Sequence, residues 1–202
     1  MRRRVVITGM GAVTPLGHSV KELYENQLAG KSGVDFIKHF DASTFPTKFA
    51  AELKGFDLAR HVKDPSRWKH AGPNARFAAA AANQALADAG LIDNPKVDRT
   101  RVGVYLGSGE GVQDFPAMVA NIAAGYIAEK HSVNHHVFIE KSLENFSPLH
   151  EYEQEMHTTP GHLAAYFDLE GPNYNCLTAC AASSQALGEA LELIRENQAD
   201  VM

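Results

Sequence analysis

The chain alternates between short apolar runs and longer amphipathic stretches. Short runs rich in β-branched residues predict strands at residues 4–8, 101–106 and 173–177, and strand character begins again at 200–202. Apolar residues at helical spacing predict helices at residues 20–28, 74–89, 115–128, 158–167 and 181–197. Strands that alternate with helices are typical of an α/β protein with a mainly parallel sheet.

Several predicted helices begin or end at residues that favour helix ends. Ser19 can cap the first helix, Gly30 follows its end, and Pro160 favours a helix start near residue 158. The helix at 74–89 is rich in alanine and stops at Gly90. So many small residues predict close packing of this helix against another backbone.

Two segments carry a weaker pattern. Residues 31–70 are irregular apart from a short strand predicted near 48–53, and residues 131–155 are mixed and acidic, as expected of an excursion over the surface. The chain ends in strand character rather than in loose polar residues. We therefore expect the sequence to be cut inside a larger fold.

Composition narrows the class of protein. The chain has 45% hydrophobic and 21% charged residues, which excludes an intrinsically disordered protein. The net charge of −5 gives no general attraction to nucleic acid, and the basic residues 2–4 are interpreted as the lip of the first strand. No apolar run is long enough for a membrane helix. Two cysteines make no disulfide framework, which predicts a reducing, cytosolic compartment.

Two motifs that suggest cofactor chemistry are incomplete. The Gly9-Met10-Gly11 turn follows a predicted strand, but Thr14 stands where the dinucleotide fingerprint needs its third glycine. Tyr126 and Lys130 have the spacing of the acid–base pair of short-chain reductases, without that fingerprint upstream. An ordinary helix face explains this pair, so we expect no dinucleotide cofactor.

The spacing of histidines and cysteines does not favour a metal site. His157 and His162 are five residues apart instead of the four that place two ligands on one helix face. Cys176 and Cys180 have no second cysteine pair to complete a zinc site. The sequence therefore predicts no bound metal.

The segment 175–187 carries the strongest chemical signal. A predicted strand runs into a tight turn, and small residues around Cys180 open a helix. A helix N-terminus favours a thiolate, and its free N–H groups can hold the oxygen of a thioester during attack. Cys180 is thus a candidate nucleophile, although a cysteine among alanines can also be a buried apolar residue. Cys176 lies inside the strand and is not favoured.

Residues 178–184, with the sequence Thr-Ala-Cys-Ala-Ala-Ser-Ser, resemble the nucleophile signature of the beta-ketoacyl-acyl carrier protein synthases. Other segments resemble the same family in the same order, namely 4–11, 14–17, 30–34, 40–41, 48–50, 85–91, 102–109 and 169–172. The resemblance runs from the first residue to the last and is strongest for the elongating, type II synthases.

This resemblance implies a thiolase-like fold with layered αβαβα order, a mainly parallel mixed sheet and helices on both faces. Residues 1–202 would be its N-terminal half. It implies acyl transfer from acyl carrier protein to Cys180, then decarboxylative condensation with malonyl-acyl carrier protein in fatty acid or polyketide synthesis. It also implies a homodimer, with the strand before Cys180 near the twofold axis, and no metal or redox cofactor.

Three departures from the family pattern qualify these expectations. Family members are about twice as long, in keeping with two domain-sized halves, and their two catalytic histidines lie in the second half. None of the ten histidines here matches those roles, so we expect the 202-residue chain alone to be inactive in condensation. Glu110 stands where the family has an apolar residue lining the acyl pocket. Residues 113–160 form a longer, more polar excursion than in the elongating enzymes.

Two alternatives to a complete enzyme remain open. An inactive partner similar to a polyketide chain-length factor would share the fold, although such proteins lack the nucleophile. A fragment that only holds a carrier protein, or that pairs with a second chain, would agree with the unmatched histidines.

Overall fold

The computed structural model describes residues 3–202. Its α-helices are α1 (Val20–Leu28), α2 (Pro73–Asp88), α3 (Phe115–Gly125), α4 (His135–Asn145), α5 (Pro148–Gln154), α6 (Thr158–Phe167) and α7 (Ala182–Arg195). Its strands are β1 (Asp35–Phe36), β2 (Phe49–Ala50), β3 (Val104–Gly107), β4 (Tyr126–Ile127), β5 (Ser132–Val133) and β6 (Asn173–Cys176). Short 3₁₀ turns lie at Leu58–Arg60, Pro65–Trp68, Arg99–Arg101, Ala128–Lys130 and Ala179–Ala181.

The parallel pair β3–β6 is the centre of the fold. The two strands run in register from Val104 opposite Asn173 to Gly107 opposite Cys176. Val201 forms an isolated parallel bridge with Val102, two residues before β3 begins. The strand predicted at 173–177 is confirmed as β6, whereas residues 200–202 contribute only the isolated bridge at Val201. The strand predicted at 101–106 begins later because Arg99–Arg101 forms a 3₁₀ turn.

Helices cover both faces of this pair. Val104 and Leu106 lie in the main apolar core, which includes Ala79 of α2 and Leu163 of α6. Tyr105 points to the other face and packs with Cys176, Ala182 and Ala186, the last two on α7. Because side chains alternate along a strand, β3 contributes to two separate clusters. The predicted α/β architecture, with helices on both faces, is confirmed.

The alanine-rich helix α2 packs directly against the backbone of the N-terminal segment. A Cβ at Gly9 would lie 2.2 Å from the carbonyl oxygen of Ala85, and one at Gly11 would lie 2.0 Å from that of Ala81. Only glycine fits at these distances. The predicted close packing against another backbone is confirmed, as are the Ser19 cap of α1 and the left-handed Gly90 after α2.

The strand predicted at residues 4–8 is wrong. This segment has no strand assignment and makes no backbone hydrogen bond to residues 3–202. Val6 and Ile7 are 56% and 77% exposed. A strand needs a neighbour to pair with, and the described part of the chain places none beside it.

Two antiparallel pairs complete the secondary structure. β1 pairs with β2, which confirms the short strand predicted near 48–53, and β4 pairs with β5 after α3. Helices α4 and α5 form within the mixed segment 131–155, which lacked a helical apolar pattern. Within residues 3–202, no helix combines the length and apolar character needed to cross a membrane.

Candidate active site

Cys180 lies in the 3₁₀ turn that joins β6 to α7. The two cysteines of the chain are both free; Cys180 is exposed and Cys176 is buried. The Cys176 Sγ donates a hydrogen bond of 3.2 Å to the carbonyl oxygen of Ala182, in the first turn of α7. The structure thus separates an accessible thiol from one that helps to pack the helix against the strand.

The backbone of this turn is strained at one residue. Ala179 has φ 49°, in the left-handed region, which costs an L-residue about 1–2 kcal/mol. The conformation reverses the chain sharply between strand and helix and leaves Cys180 on the outside. Within residues 3–202 the backbone N–H of Cys180 has no hydrogen-bond acceptor, so it remains available to an oxygen that gains negative charge near the sulfur.

Glycine allows the first turn of α7 to contact the end of β3. A Cβ at Gly107 would lie 2.2 Å from the carbonyl carbon of Ala182 and 2.4 Å from the nitrogen of Ser183. One residue later, the Ser108 hydroxyl donates to the side-chain oxygen of Asn175 at 3.1 Å. These contacts join the carboxyl ends of the two parallel strands. The packing role of Gly107 could not be predicted from the sequence, because it depends on a contact with a residue 75 positions away along the chain.

Glu110 lies in the loop 108–114 that follows β3. Its side chain is exposed, and within residues 3–202 it forms no ion pair or side-chain hydrogen bond. The loop leaves the same edge of the β3–β6 pair as the turn that carries Cys180. That edge is where α/β proteins with parallel strands place their ligands. The predicted pocket residue and the predicted nucleophile therefore follow adjacent strand ends.

Two tyrosines form an aromatic pair on the strands β3 and β6, and one of them, Tyr105, packs against α7. The rings of Tyr105 and Tyr174 are 5.5 Å apart. Burial raises the pKa of the Tyr105 hydroxyl above its ordinary value, and the negative charge of Glu189 adds to the shift. Tyr105 is therefore neutral at physiological pH.

The histidines pair with groups other than Cys180. His150 contacts Asp114, His162 contacts Glu153, and His136 contacts Glu140. Within residues 3–202, no histidine hydrogen-bonds Cys180, and no three histidine, cysteine or acidic side chains come together to hold a metal ion. The described residues therefore place a candidate nucleophile and a free backbone N–H at this site.

Comparisons with known proteins agree with this arrangement. The chain matches the family described as beta-ketoacyl synthase, N-terminal domain, over residues 2–202. It is 37% identical over its whole length to the 3-oxoacyl-[acyl-carrier-protein] synthase 2 of Coxiella burnetii and 34% identical to that of Vibrio cholerae, covering 44% of each. The chain thus spans less than half the length of these curated relatives.

Solved structures give the same picture. A beta-ketoacyl synthase from Burkholderia phymatum is 30% identical, with a TM-score of 0.72 over 98% of this chain and 45% of that one. The ishigamide ketosynthase/chain length factor is 25% identical, with a TM-score of 0.74 over 98% of this chain and 46% of that one. The fold is that of the thiolase-like ketosynthases. The chain belongs to the beta-ketoacyl synthase family and corresponds to its N-terminal domain.

Proposed function

We propose that this chain supplies the nucleophile of a condensing enzyme that accepts acyl groups from acyl carrier protein. The exposed thiol of Cys180, in a strained turn at the start of α7, carries this proposal. Membership of the beta-ketoacyl synthase family supports it. The acyl-carrier-protein synthases among the curated relatives support the choice of donor.

The first step is a thioester exchange. The Cys180 thiolate attacks the carbonyl carbon of the acyl thioester, and the carbonyl oxygen gains the negative charge. The free N–H of Cys180 can donate to that oxygen. Collapse of the tetrahedral intermediate expels the carrier's thiolate and leaves the acyl group on Cys180.

The second step is a decarboxylative condensation. Malonyl-acyl carrier protein loses carbon dioxide, and the resulting carbanion attacks the acyl-Cys180 carbonyl, which releases the cysteine thiolate and forms the β-ketoacyl product. We place this reaction in the cytoplasm, in fatty acid or polyketide synthesis, and assign it to a homodimer. Residues 1–202 then act as one N-terminal synthase domain, in which 113–160 form a polar excursion.

Glu110 is proposed to line the pocket for the acyl chain. Its loop follows β3 at the same edge as the Cys180 turn, which supports this assignment. A carboxylate beside methylene groups loses its hydration and is costly to bury without a partner. The pocket would therefore favour short or polar acyl groups over long, plain ones.

Peptide mapping tests the nucleophile. After incubation with acyl-acyl carrier protein, we expect the peptide that contains both cysteines to gain the mass of one acyl group. Fragmentation of that peptide should place the added mass on Cys180 and not on Cys176. Cys180→Ser should abolish labelling, while the matched Cys176→Ser variant should retain it. Brief treatment with iodoacetamide should modify Cys180 first, because Cys176 is buried. Preferential labelling of Cys176 would contradict the assignment.

A second candidate is a partner chain that holds an acyl group or a carrier protein without condensing it. Two observations support this candidate. The chain is similar to the ishigamide ketosynthase/chain length factor, and no histidine within residues 3–202 hydrogen-bonds Cys180. Acylation of Cys180 without condensation in the complete protein would select this alternative.

A further inference from the structure

The middle of the loop 108–114 is held by the last residues of helix α5. The Gly111 N–H donates to the carbonyl oxygen of Gln154 at 2.7 Å. A Cβ at Gly111 would lie 1.9 Å from the carbonyl oxygen of Glu153, so the loop backbone lies directly on the end of the helix. Gly111 follows Glu110 in sequence, and this contact therefore fixes the backbone next to the candidate pocket residue.

A second contact joins the same loop to the start of α5. The Asp114 carboxylate and His150 Nδ1 are 2.8 Å apart, with Asp114 17% and His150 52% exposed at the side chain. This hydrogen bond lowers the pKa of the Asp114 carboxyl, and the backbone N–H of Ala117 lowers it further. Asp114 therefore stays ionised at neutral pH and can hold His150 while it caps α3.

Helix α5 is in turn fixed to the core through α6. Both oxygens of the Glu153 carboxylate, which is only 9% exposed, lie 3.0–3.1 Å from His162 Nε2. The His162 ring packs against Trp68, which is 2% exposed. The Thr158 hydroxyl donates to the carbonyl oxygen of Tyr152 at 2.8 Å. A continuous set of contacts thus runs from the core through α6 and α5 to the loop.

We propose that α5 clamps the loop 108–114 and so sets where Glu110 lies beside an acyl chain on Cys180. His150, Glu153 and His162 are then positioning residues for acyl-chain preference. They act through the loop and do not touch the reacting atoms. This inference rests on the proposed function for its link to acyl groups, whereas the clamp itself is a property of the fold.

Hydrogen exchange of the complete protein tests the clamp without any activity. Loss of one hydrogen bond is worth about 1 kcal/mol, or about fivefold in an opening equilibrium. We expect His150→Ala and His162→Leu to accelerate amide exchange at Gly111 by about that factor. His162→Gln, which keeps a donor for Glu153, should restore slow exchange. His136→Ala is the matched control, because His136 pairs with Glu140 on α4, away from the loop. Unchanged exchange in His150→Ala and His162→Leu would overturn the clamp.

Acyl transfer to Cys180 tests the link to specificity in the same variants. We expect the ratio of long-chain to short-chain acylation rates to change several-fold in His162→Leu and to return in His162→Gln, with the rate of iodoacetamide modification unchanged. Faster exchange at Gly111 with an unchanged ratio would overturn the specificity role. If Cys180 accepts no acyl group at all, the proposed function and this role fall together, and exchange at Gly111 still decides whether α5 holds the loop.

Discussion

At the scale of single residues, the site depends on small side chains placed around one exposed thiol. Gly107 lets α7 approach the end of β3, and the small residue Ala181 next to Cys180 is exposed. Ala179 carries the backbone strain of the turn. A side chain at Gly107 would collide with the first turn of α7, which directly follows the Cys180 turn.

The strain at Ala179 predicts an unusual response to glycine. Glycine adopts a positive φ without steric cost, whereas alanine in the left-handed region loses about 1–2 kcal/mol, which exceeds the entropic cost of glycine at about 0.5–1 kcal/mol. We expect Ala179→Gly to raise the free energy of unfolding by about 0.5–1 kcal/mol. The control variant Ala190→Gly, in the interior of α7, should lower it. Urea denaturation of both variants decides, and a destabilised Ala179→Gly would contradict the conformation of the turn.

Glu110 provides the second test at this scale. An unpaired carboxylate buried against methylene groups costs a few kcal/mol or takes up a proton. We expect Glu110→Ile to raise the rate of Cys180 acylation by long acyl groups, with little change for short ones. Rates measured across a series of acyl chain lengths provide the comparison. Equal profiles for wild type and variant would remove Glu110 from the pocket.

At the scale of elements, local signals predicted five of the seven α-helices but not α4 and α5, and they did not reveal how strands pair. Helix α1 follows from its Ser19 cap, and α6 from the Thr158-Thr159-Pro160 start. The segment 4–8 has a strand composition, yet pairing depends on a neighbour that composition does not reveal. Likewise, the position of Cys180 followed from the strand–turn–helix pattern, but the left-handed Ala179 did not.

Helix α4 was missed for a different reason. Asn121 of α3 is fully buried against α4, where its side chain contacts Ser142 at 3.3 Å and Asn145 at 2.7 Å. Part of the contact between these helices is therefore polar. Apolar periodicity cannot detect such an interface, and buried amides of this kind need the folded structure to show their partners.

The packing of α2 on the N-terminal segment predicts a large effect at Gly11. A Cβ there would lie 2.0 Å from the Ala81 carbonyl oxygen, so helix or segment must move. Overpacking of this kind costs about 1–3 kcal/mol, and we expect Gly11→Ala to destabilise the fold by that amount. Gly188→Ala is the control, because open space surrounds that position in α7. It should stabilise the helix by about 0.5–1 kcal/mol. If thermal or urea unfolding shows no loss of stability in Gly11→Ala, the close contact between Gly11 and the Ala81 carbonyl oxygen would be contradicted.

The β1–β2 pair predicts a pH effect. The Lys54 ammonium donates to Asp35 at 2.8 Å, and with the Phe36 N–H it lowers the Asp35 pKa from 3.8 to about 2. A lowered carboxyl pKa stabilises the folded state above pH 3.8, and this contribution is lost as the pH falls through about 2. Lys54→Met should raise the Asp35 pKa, as measured by NMR titration. Lys38→Met should raise it less, because Lys38 lies 3.6 Å away and makes no hydrogen bond to Asp35. Equal shifts in both variants would contradict this order.

At the scale of the whole molecule, apolar surface is exposed around a small core. Exposed apolar side chains occur in the N-terminal segment, on the α3–α4 pair and on α7, for example Ile7 at 77%, Phe115 at 62%, Leu143 at 83% and Leu187 at 68%. Residues 3–202 therefore contain the proposed nucleophile, its turn and the loop that follows β3, while many apolar side chains remain exposed.

The final prediction concerns condensation by the 202-residue chain on its own. Acylation of Cys180 needs an accessible thiol and a backbone donor, which the turn provides. Decarboxylation needs more, because charge builds on the malonyl thioester oxygen and donors must already be aimed at it. Family resemblance assigns that role to two histidines, and no histidine within residues 3–202 hydrogen-bonds Cys180. Loss of one such donor costs about 10²–10³-fold in rate.

We therefore expect the purified 202-residue chain, mixed with acyl and malonyl carrier proteins, to form acyl-Cys180 but no β-ketoacyl product. Mass spectrometry measures both species, and the Coxiella burnetii relative is the positive control in the same assay. Robust product that disappears in Cys180→Ser would show that groups within these 202 residues promote decarboxylation after all.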